Sequence, residues 1–204
     1  MSNPNDVYQH EEFMLKFQKP GMGTQAAIEA YDVTDNAGLY DEASKCLCYK
    51  GPRYCADMVA GLFSVNKDHV TILDVAAGTG LVGEELKKRG FQNVHALEAS
   101  IGMLEIARSK GHYSHYLLAM VTEGKQLPLL NASYDAITLC GATLENHLPP
   151  AALEEFVRLI KPGGYFINVV RASSLVSADY GKQYENKALE LEENGKWALY
   201  GRMK

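Results

Sequence analysis

Short apolar runs recur along the chain between stretches with helical or turn patterns. Such runs lie at residues 72–75, 93–97, 115–121, 136–140 and 165–170. Runs of this length, bounded by glycine, proline and polar residues, are typical of strands that are buried on both faces. Because helical patterns separate the runs, the sequence predicts an α/β fold with a parallel sheet covered by helices on both sides.

The stretches between the runs carry the signals of helix ends. Ser100 is a suitable N-cap for a helix that runs through Lys110, and Gly111 follows as its stop. Gly51-Pro52 opens another helix, because proline is favoured at the first helical positions. These signals place helices before the first apolar run and after the second.

The chain is organised around the segment from Ile72 to Gly83. Its apolar run ends at Val75, and small and glycine residues follow until Leu81, where a helical pattern begins. Glycines let the backbone turn sharply and let a ligand approach closely. The order of strand, glycine-rich turn and helix is typical of a nucleotide-type binding site.

Two classes of ligand fit such a turn. Gly78, Gly80 and Gly83 match the spacing G-x-G-x-x-G of dinucleotide-binding folds. Glu98 stands where those folds have a ribose-binding acid. Asp74 discriminates between the classes, because a carboxylate is unfavourable beside an anionic pyrophosphate. S-adenosylmethionine has no phosphate and carries a sulfonium and an ammonium, so Asp74 favours this cofactor.

The pattern Asp-x-small-x-Gly-x-Gly from Asp74 to Gly80 resembles the first motif of class I S-adenosylmethionine-dependent methyltransferases. Ala76 departs from that motif, which usually has glycine there, and its methyl group narrows the turn. The segment 161–164, Lys-Pro-Gly-Gly, resembles the turn before that family's fifth strand. A narrower resemblance connects residues 40–52 with the Williams–Beuren syndrome region methyltransferase-like proteins.

The resemblance implies a three-layer Rossmann-like doubly wound sheet with S-adenosylmethionine as the cofactor. Glu98 matches the acid that bridges the ribose hydroxyls, for which a carboxylate is a strong acceptor. Ala99 and Met103 would line the adenine, and Glu123-Gly124 would meet its amino group. The cofactor-binding residues that the resemblance implies are Tyr40, Asp74, Ala76, Gly78, Gly80, Glu98, Ala99, Met103, Glu123, Gly124 and Cys140.

Each of these assignments has an ordinary structural alternative. Glu98 fits a solvated acid before a helix, and Glu123 fits an exposed loop acid. Ala99 and Met103 fit plain core packing, and Tyr40 fits packing beneath a lid instead of a cap over the ligand. At Cys140 the resemblance points to the backbone as the lining group and not to a nucleophilic thiol.

The predicted function is methyl transfer from S-adenosylmethionine to a small molecule or a protein side chain. His147, in the loop after the fourth run, is the candidate general base, because imidazole titrates near neutral pH. The alternative is a surface histidine without a catalytic role. Two other functions stay open: an NAD-dependent oxidoreductase, and a module that binds the cofactor without catalysis.

Composition narrows the partners. The 204 residues carry a net charge of −5 without a basic block, which argues against nucleic-acid or anionic-membrane surfaces. No apolar run is long enough to span a membrane. No pair among the four cysteines has metal-finger spacing, and reduced thiols in the cytoplasm, or the nucleus, are expected. The methyl acceptor and the oligomeric state are not specified.

The predicted organisation is an N-terminal arm and cap over residues 1–50 and a methyltransferase domain over residues 51–204. Residues 184–193 predict a charged helix, and residues 197–203 a possible sixth strand. Sheets of the resembled family normally have seven strands. We therefore expect the seventh to be missing, the chain to be shortened relative to the family, and the tail after about residue 173 to be loosely held or paired with another molecule.

Overall fold

The computed structural model describes residues 4–19, 21–33, 36–171 and 179–201, which fold into a parallel sheet with helices around it. The strands are β1 (Thr71–Val75), β2 (Asn93–Glu98), β3 (His115–Leu118), β4 (Tyr134–Cys140) and β5 (Ile160–Val169). The helices are α1 (Pro4–Leu15), α2 (Thr24–Asp32), α3 (Asn36–Cys46), α4 (Gly51–Leu62), α5 (Leu81–Lys88), α6 (Ile101–Lys110), α7 (Ala152–Leu159) and α8 (Tyr180–Glu193), and a 3₁₀ turn (Lys16–Gln18) follows α1.

The strands lie in the order β3-β2-β1-β4-β5, and every neighbouring pair is parallel. β1 is central, with Ile72 opposite Val94 of β2 on one side and Ala136 of β4 on the other. The strand order reverses between β1 and β4, and open α/β sheets bind ligands in the crevice at such a point. The α/β, Rossmann-like prediction is confirmed.

β1 separates two apolar layers, which explains why Ile72, Leu73 and Val75 are all apolar. Leu73 faces a cluster that includes Phe156 of α7, and Ile72 faces a cluster that includes Leu86 of α5 and Val59 of α4. All six side chains are fully buried. Burial on both faces removes the polar alternation of a half-exposed strand.

Two strands differ from the predicted bounds. β3 ends at Leu118, three residues before the end of its apolar run. β5 begins at Ile160, directly after α7, so that the Lys-Pro-Gly-Gly segment lies inside the span of the strand. Tyr134 pairs with Ile160, and the pairing resumes with Ala136 opposite Tyr165, which leaves residues 161–164 as an irregularity in the ladder.

The C-terminal tail is built differently from the prediction. Within the described residues the sheet has five strands, and residues 197–201 are not a strand, while residues 202–204 lie outside the described part. Trp197 instead stacks on Phe166 of β5, with ring centroids 6.0 Å apart, and its Nε1 donates to the Ala188 carbonyl at 2.9 Å. Tyr184 of α8 is buried, so this helix is firmly packed and not loosely held.

The N-terminal helices cover the carboxyl edge of the sheet. Phe13, Phe17 and Ala43 form a small core between α1, the 3₁₀ turn and α3. α2 and α3 both contact α6, which follows β2. The boundary near residue 50 falls between α3 and α4 and stays a prediction as a domain limit. In the described part of the chain no helix is both long and apolar enough to cross a bilayer.

Candidate functional site

A cavity of about 740 Å³ opens at the carboxyl edge of β1, β2 and β4, beneath α2 and α3. The residues singled out by the sequence that line it are Tyr40, Ala76, Gly78, Glu98, Ala99, Met103, Cys140 and His147. Asp74, Gly80, Glu123 and Gly124 do not line this first cavity.

The turn after β1 bends through left-handed backbone. Ala76 has a φ of +53°, and Gly78 has a φ of +56°. For Ala76 this conformation costs about 1–2 kcal/mol, because its Cβ is crowded in left-handed backbone. The turn keeps this conformation even though residue 76 is not a glycine. A Cβ added at Gly78 would meet no protein atom within 4 Å, so this glycine leaves the space beside the turn open.

Glu98 ties the turn to the end of β2. One carboxylate oxygen accepts the Gly78 amide at 2.8 Å, and the other accepts the amides of Ala99 and Ser100 at 2.8 and 2.9 Å. Burial raises the pKa of this carboxyl, and the three amide bonds oppose that shift. A carboxylate offers about four acceptor positions, so Glu98 retains capacity for a hydroxyl of a ligand.

Asp74 lies at the end of β1 but is sealed from the first cavity. It is 1% exposed, and its two oxygens accept the hydroxyls of Tyr113 and Thr138 at 2.6 and 2.8 Å. The Tyr113 hydroxyl in turn accepts the Gly83 amide at 3.1 Å. Burial raises the pKa of Asp74 to about 7. In this arrangement Asp74 fastens β1, β4 and α5 to one another, and the predicted contact with a cationic ligand is not part of it.

The residues expected to meet an adenine lie elsewhere than the sequence suggested. Glu123 and Gly124 are exposed and lie outside the lining. Because β3 ends at Leu118, residues 119–121 reach the carboxyl edge instead and line the cavity beside Leu97. The apolar run that was assigned to the strand therefore supplies both a strand and part of the wall.

His147 forms a pair with a tyrosine of the cap. Its Nε2 lies 2.9 Å from the Tyr31 hydroxyl, and its Nδ1 lies 3.4 Å from the carbonyl of Glu145. A carbonyl only accepts, so Nδ1 carries the proton and Nε2 accepts from Tyr31. Burial lowers the pKa of His147, which keeps the ring neutral. Tyr31 is held by stacking on Phe17, with ring centroids 4.1 Å apart.

A second cavity of about 1190 Å³ adjoins the first and shares Tyr31, Tyr40 and Gly141 with it. Tyr49 stands in its wall, in a slot that two glycines leave open. A Cβ at Gly51 or at Gly141 would lie 2.6 Å from the Tyr49 hydroxyl oxygen. The sequence gives no local signal for this slot, because the slot depends on residues far apart in the chain.

The Tyr49 hydroxyl also lies 3.3 Å from the Cys140 thiol. Burial raises the pKa of Cys140 to about 12. The thiol is therefore protonated at neutral pH, and a thiol of this kind is not a nucleophile. Cys140 contributes a neutral part of the wall of the first cavity, at the end of β4.

Comparisons with known proteins identify similar chains. A family model described as "Methyltransferase domain" matches residues 73–168. Human methyltransferase-like protein 27 is 34% identical over 159 residues, which is 78% of this chain and 63% of that protein. Malonyl-[acyl-carrier protein] O-methyltransferase from Serratia marcescens is 32% identical over 143 residues, which is 68% of this chain and 51% of that protein.

A solved structure supports the fold. A putative S-adenosyl-L-methionine-dependent methyltransferase from Methanococcus maripaludis superposes with a TM-score of 0.55 at 20% identity, covering 88% of this chain and 75% of that one. The chain spans from about half to just under two thirds of the length of the two curated relatives named above.

Proposed function

We propose, from the premise that this chain belongs to the class I S-adenosylmethionine-dependent methyltransferases, that it transfers a methyl group to an acceptor held beside the first cavity. The observation that carries the proposal is the pairing of Gly78 and Glu98. An open, left-handed glycine and a buried carboxylate with spare acceptor capacity face one cavity at the switch point of the sheet.

The residues of the first cavity fit S-adenosylmethionine. The open side of Gly78 admits a ligand close to the backbone, and Glu98 offers an acceptor to the ribose hydroxyls. Met103, Leu97 and residues 119–121 supply apolar surface for the base. The lining includes no lysine or arginine among the described residues, so a cationic sulfonium is not repelled by a positive side chain there.

The bound cofactor would supply an activated methyl group, and the protein aligns the acceptor and excludes water. Tyr31 and Tyr40 close the first cavity from the cap side. His147 is neutral and within hydrogen-bond distance of Tyr31, so the pair is arranged to take a proton from an acceptor that arrives protonated. An acceptor that arrives ionised needs no such step.

The identity of the acceptor belongs to this proposal. One relative is named for malonyl-acyl carrier protein and others for demethylmenaquinone, and we propose a small organic acceptor for this chain as well. Nothing in the site or the comparisons favours an NAD-dependent oxidoreductase. We also propose a cytoplasmic location, with the nucleus as alternative, because all four cysteines are free thiols.

The test is isothermal titration of S-adenosylmethionine into the Glu98→Ala variant. Loss of the carboxylate removes a ligand acceptor and frees the Gly78 amide, so binding should weaken by about 1–3 kcal/mol. The control is Glu123→Ala, which removes an exposed carboxylate outside the first cavity and should bind as the unmodified protein does. Unchanged affinity in a folded Glu98→Ala protein would remove Glu98 from the site.

A further inference from the structure

The two adjoining cavities have opposite charge. Among the described residues, one charged side chain lines the first cavity, that of Glu98. The second cavity is lined by Lys50 and Arg171 and, in the same described part of the chain, by no aspartate or glutamate. A lining with cations and no compensating carboxylate favours an anionic occupant.

Polar groups of the second cavity lack partners. The Ser44 Oγ is buried without a hydrogen bond, in a residue that is 5% exposed. Within the described ranges, the exposed Arg171 has no ion-pair partner and the hydroxyl of the half-buried Tyr40 has no hydrogen bond. Buried polar groups without partners are rare in native structures, so the Ser44 hydroxyl calls for a partner that the protein itself does not supply.

The remaining wall of the second cavity is aromatic and apolar. Tyr31, Tyr40, Tyr49 and Tyr54 line it, and Met14 and Leu47 add aliphatic surface. Aromatic faces stack on flat ligands, and tyrosine hydroxyls donate to oxygen acceptors at their edge. The cavity therefore combines aromatic and apolar surface with two cationic side chains, Lys50 and Arg171.

We propose that the second cavity binds the methyl acceptor as a small organic anion on a flat apolar body, with its anionic oxygen held by Arg171 and the Tyr40 hydroxyl. This rests on the proposed function, because it assigns the acceptor of the same reaction. Tyr40 lines both cavities, so an oxygen at its hydroxyl lies at the boundary with the methyl donor. Arg171 is close enough to Tyr40 and Tyr49 for its charge to oppose the burial that raises the pKa of both hydroxyls.

The transfer then needs no base. A lone pair of the acceptor oxygen forms the new O–CH₃ bond, the S–CH₃ bond breaks, and its electron pair stays on the sulfur. The anion and the sulfonium are both neutralised, and no proton moves. For such an acceptor His147 takes up no proton and keeps only its hydrogen bond with the Tyr31 hydroxyl.

The experiment compares 2-naphthoate with the neutral, isosteric 2-naphthamide, in the presence of S-adenosylhomocysteine, by titration calorimetry or ligand-observed NMR. We expect the acid to bind at least tenfold more tightly than the amide. Arg171→Gln should weaken the binding of the acid by about tenfold, which is the scale of one charge-assisted hydrogen bond. The affinity for the amide should stay unchanged. The control is Arg108→Gln, the same change on the exposed side of α6, outside both cavities.

The outcomes separate this inference from the proposed function. Equal affinity for acid and amide, or an acid affinity that Arg171→Gln leaves unchanged, overturns the anionic acceptor. A parallel titration of S-adenosylmethionine should give the same affinity in the unmodified protein and Arg171→Gln, since Arg171 does not line the first cavity. Failure of all variants to bind S-adenosylmethionine would defeat the proposed function, while the acid–amide comparison would still report on the second cavity.

Discussion

The two halves of the site are held by different kinds of contact. At the sheet edge, the polar groups that fix the turn are buried: Asp74 holds Tyr113 and Thr138, and Glu98 holds the Gly78 amide. The cap is attached through side chains at its partly exposed margin. Asp32 of α2 accepts the Ser100 hydroxyl and the Gly102 amide, and Asp41 of α3 meets Thr79 and Lys110.

The difference in burial of these contacts indicates that one half of the site is more rigid than the other. Buried, fully paired polar networks are costly to break and fix one geometry. Partly exposed hydrogen bonds and ion pairs contribute about 1 kcal/mol or less each, so their loss is tolerated. The sheet edge is therefore the fixed half of the site and the cap is the adjustable half. In the proposed function, the first would position the cofactor and the second would bound the acceptor.

The largest expected effect concerns the pH dependence of the sheet edge. Since the pKa of folded Asp74 is about 7 and that of the unfolded residue is about 4, the folded protein keeps a proton that the unfolded chain releases between these values. The contribution of Asp74 to stability is therefore fully present below about pH 4 and is lost as the pH rises to about 7, by on the order of 4 kcal/mol. Asp74→Asn has no such group and should lose this part of the decline.

The measurement is urea unfolding at several pH values between 4 and 7, for the unmodified protein and the variant. Asp6→Asn is the control, because Asp6 is exposed on α1 and its removal should leave the pH profile intact. Parallel pH profiles of the unmodified protein and Asp74→Asn would show that the buried network does not hold a proton.

The second effect separates the fold of the turn from its openness to a ligand. Gly78→Val should weaken the binding of S-adenosylmethionine at least 100-fold, about 3 kcal/mol, because the branched side chain fills the open space beside the turn. Gly124→Val is the matched control. Gly124 has a φ of +70° and open space around its Cβ position, and it does not line the first cavity.

Both valine variants carry a similar backbone strain of about 1–2 kcal/mol, so circular dichroism should show the same modest destabilisation. Only titration should distinguish them. If Gly78→Val binds S-adenosylmethionine like Gly124→Val, the turn is not a ligand cradle, and the sheet edge loses its proposed task.

The smallest effect tests the adjustable half. Asp41→Asn removes the ion pair with Lys110 and weakens the bond to Thr79, so global stability should fall by only about 1 kcal/mol. Hydrogen exchange should nevertheless increase in α3. Glu42→Gln is the neighbouring control, since Glu42 is exposed and contacts neither residue. A loss of several kcal/mol would show that the cap is as rigidly built as the sheet edge.

Sequence reasoning succeeded where one periodic signal decides the structure. The apolar run of β1, the glycines after it and the Ser100 cap of α6 were located because each depends on local chemistry. It failed where packing overrides the local signal. Residues 119–121 are as apolar as β3 but leave the sheet, and Trp197 stacks on β5 by its ring instead of pairing by its backbone.

The candidate site shows the same division. Glu98 and Gly78 were found because a motif fixes their spacing. Tyr113, which seals Asp74, and Tyr31, which pairs with His147, stand in segments without a pattern and reach the site through tertiary contacts. The charge difference between the cavities could not be predicted from the sequence either. Lys50 and Arg171 are far apart in the chain, and only the fold brings both into the lining of the second cavity.

The slot around Tyr49 has a consequence for how this sequence can change over generations. The aromatic ring occupies the volume that side chains at positions 51 and 141 would need. A substitution at either glycine therefore requires the Tyr49 side chain to leave the slot or to be replaced by a smaller one. A change at one of the three positions is thus expected to be tolerated best together with a change at another.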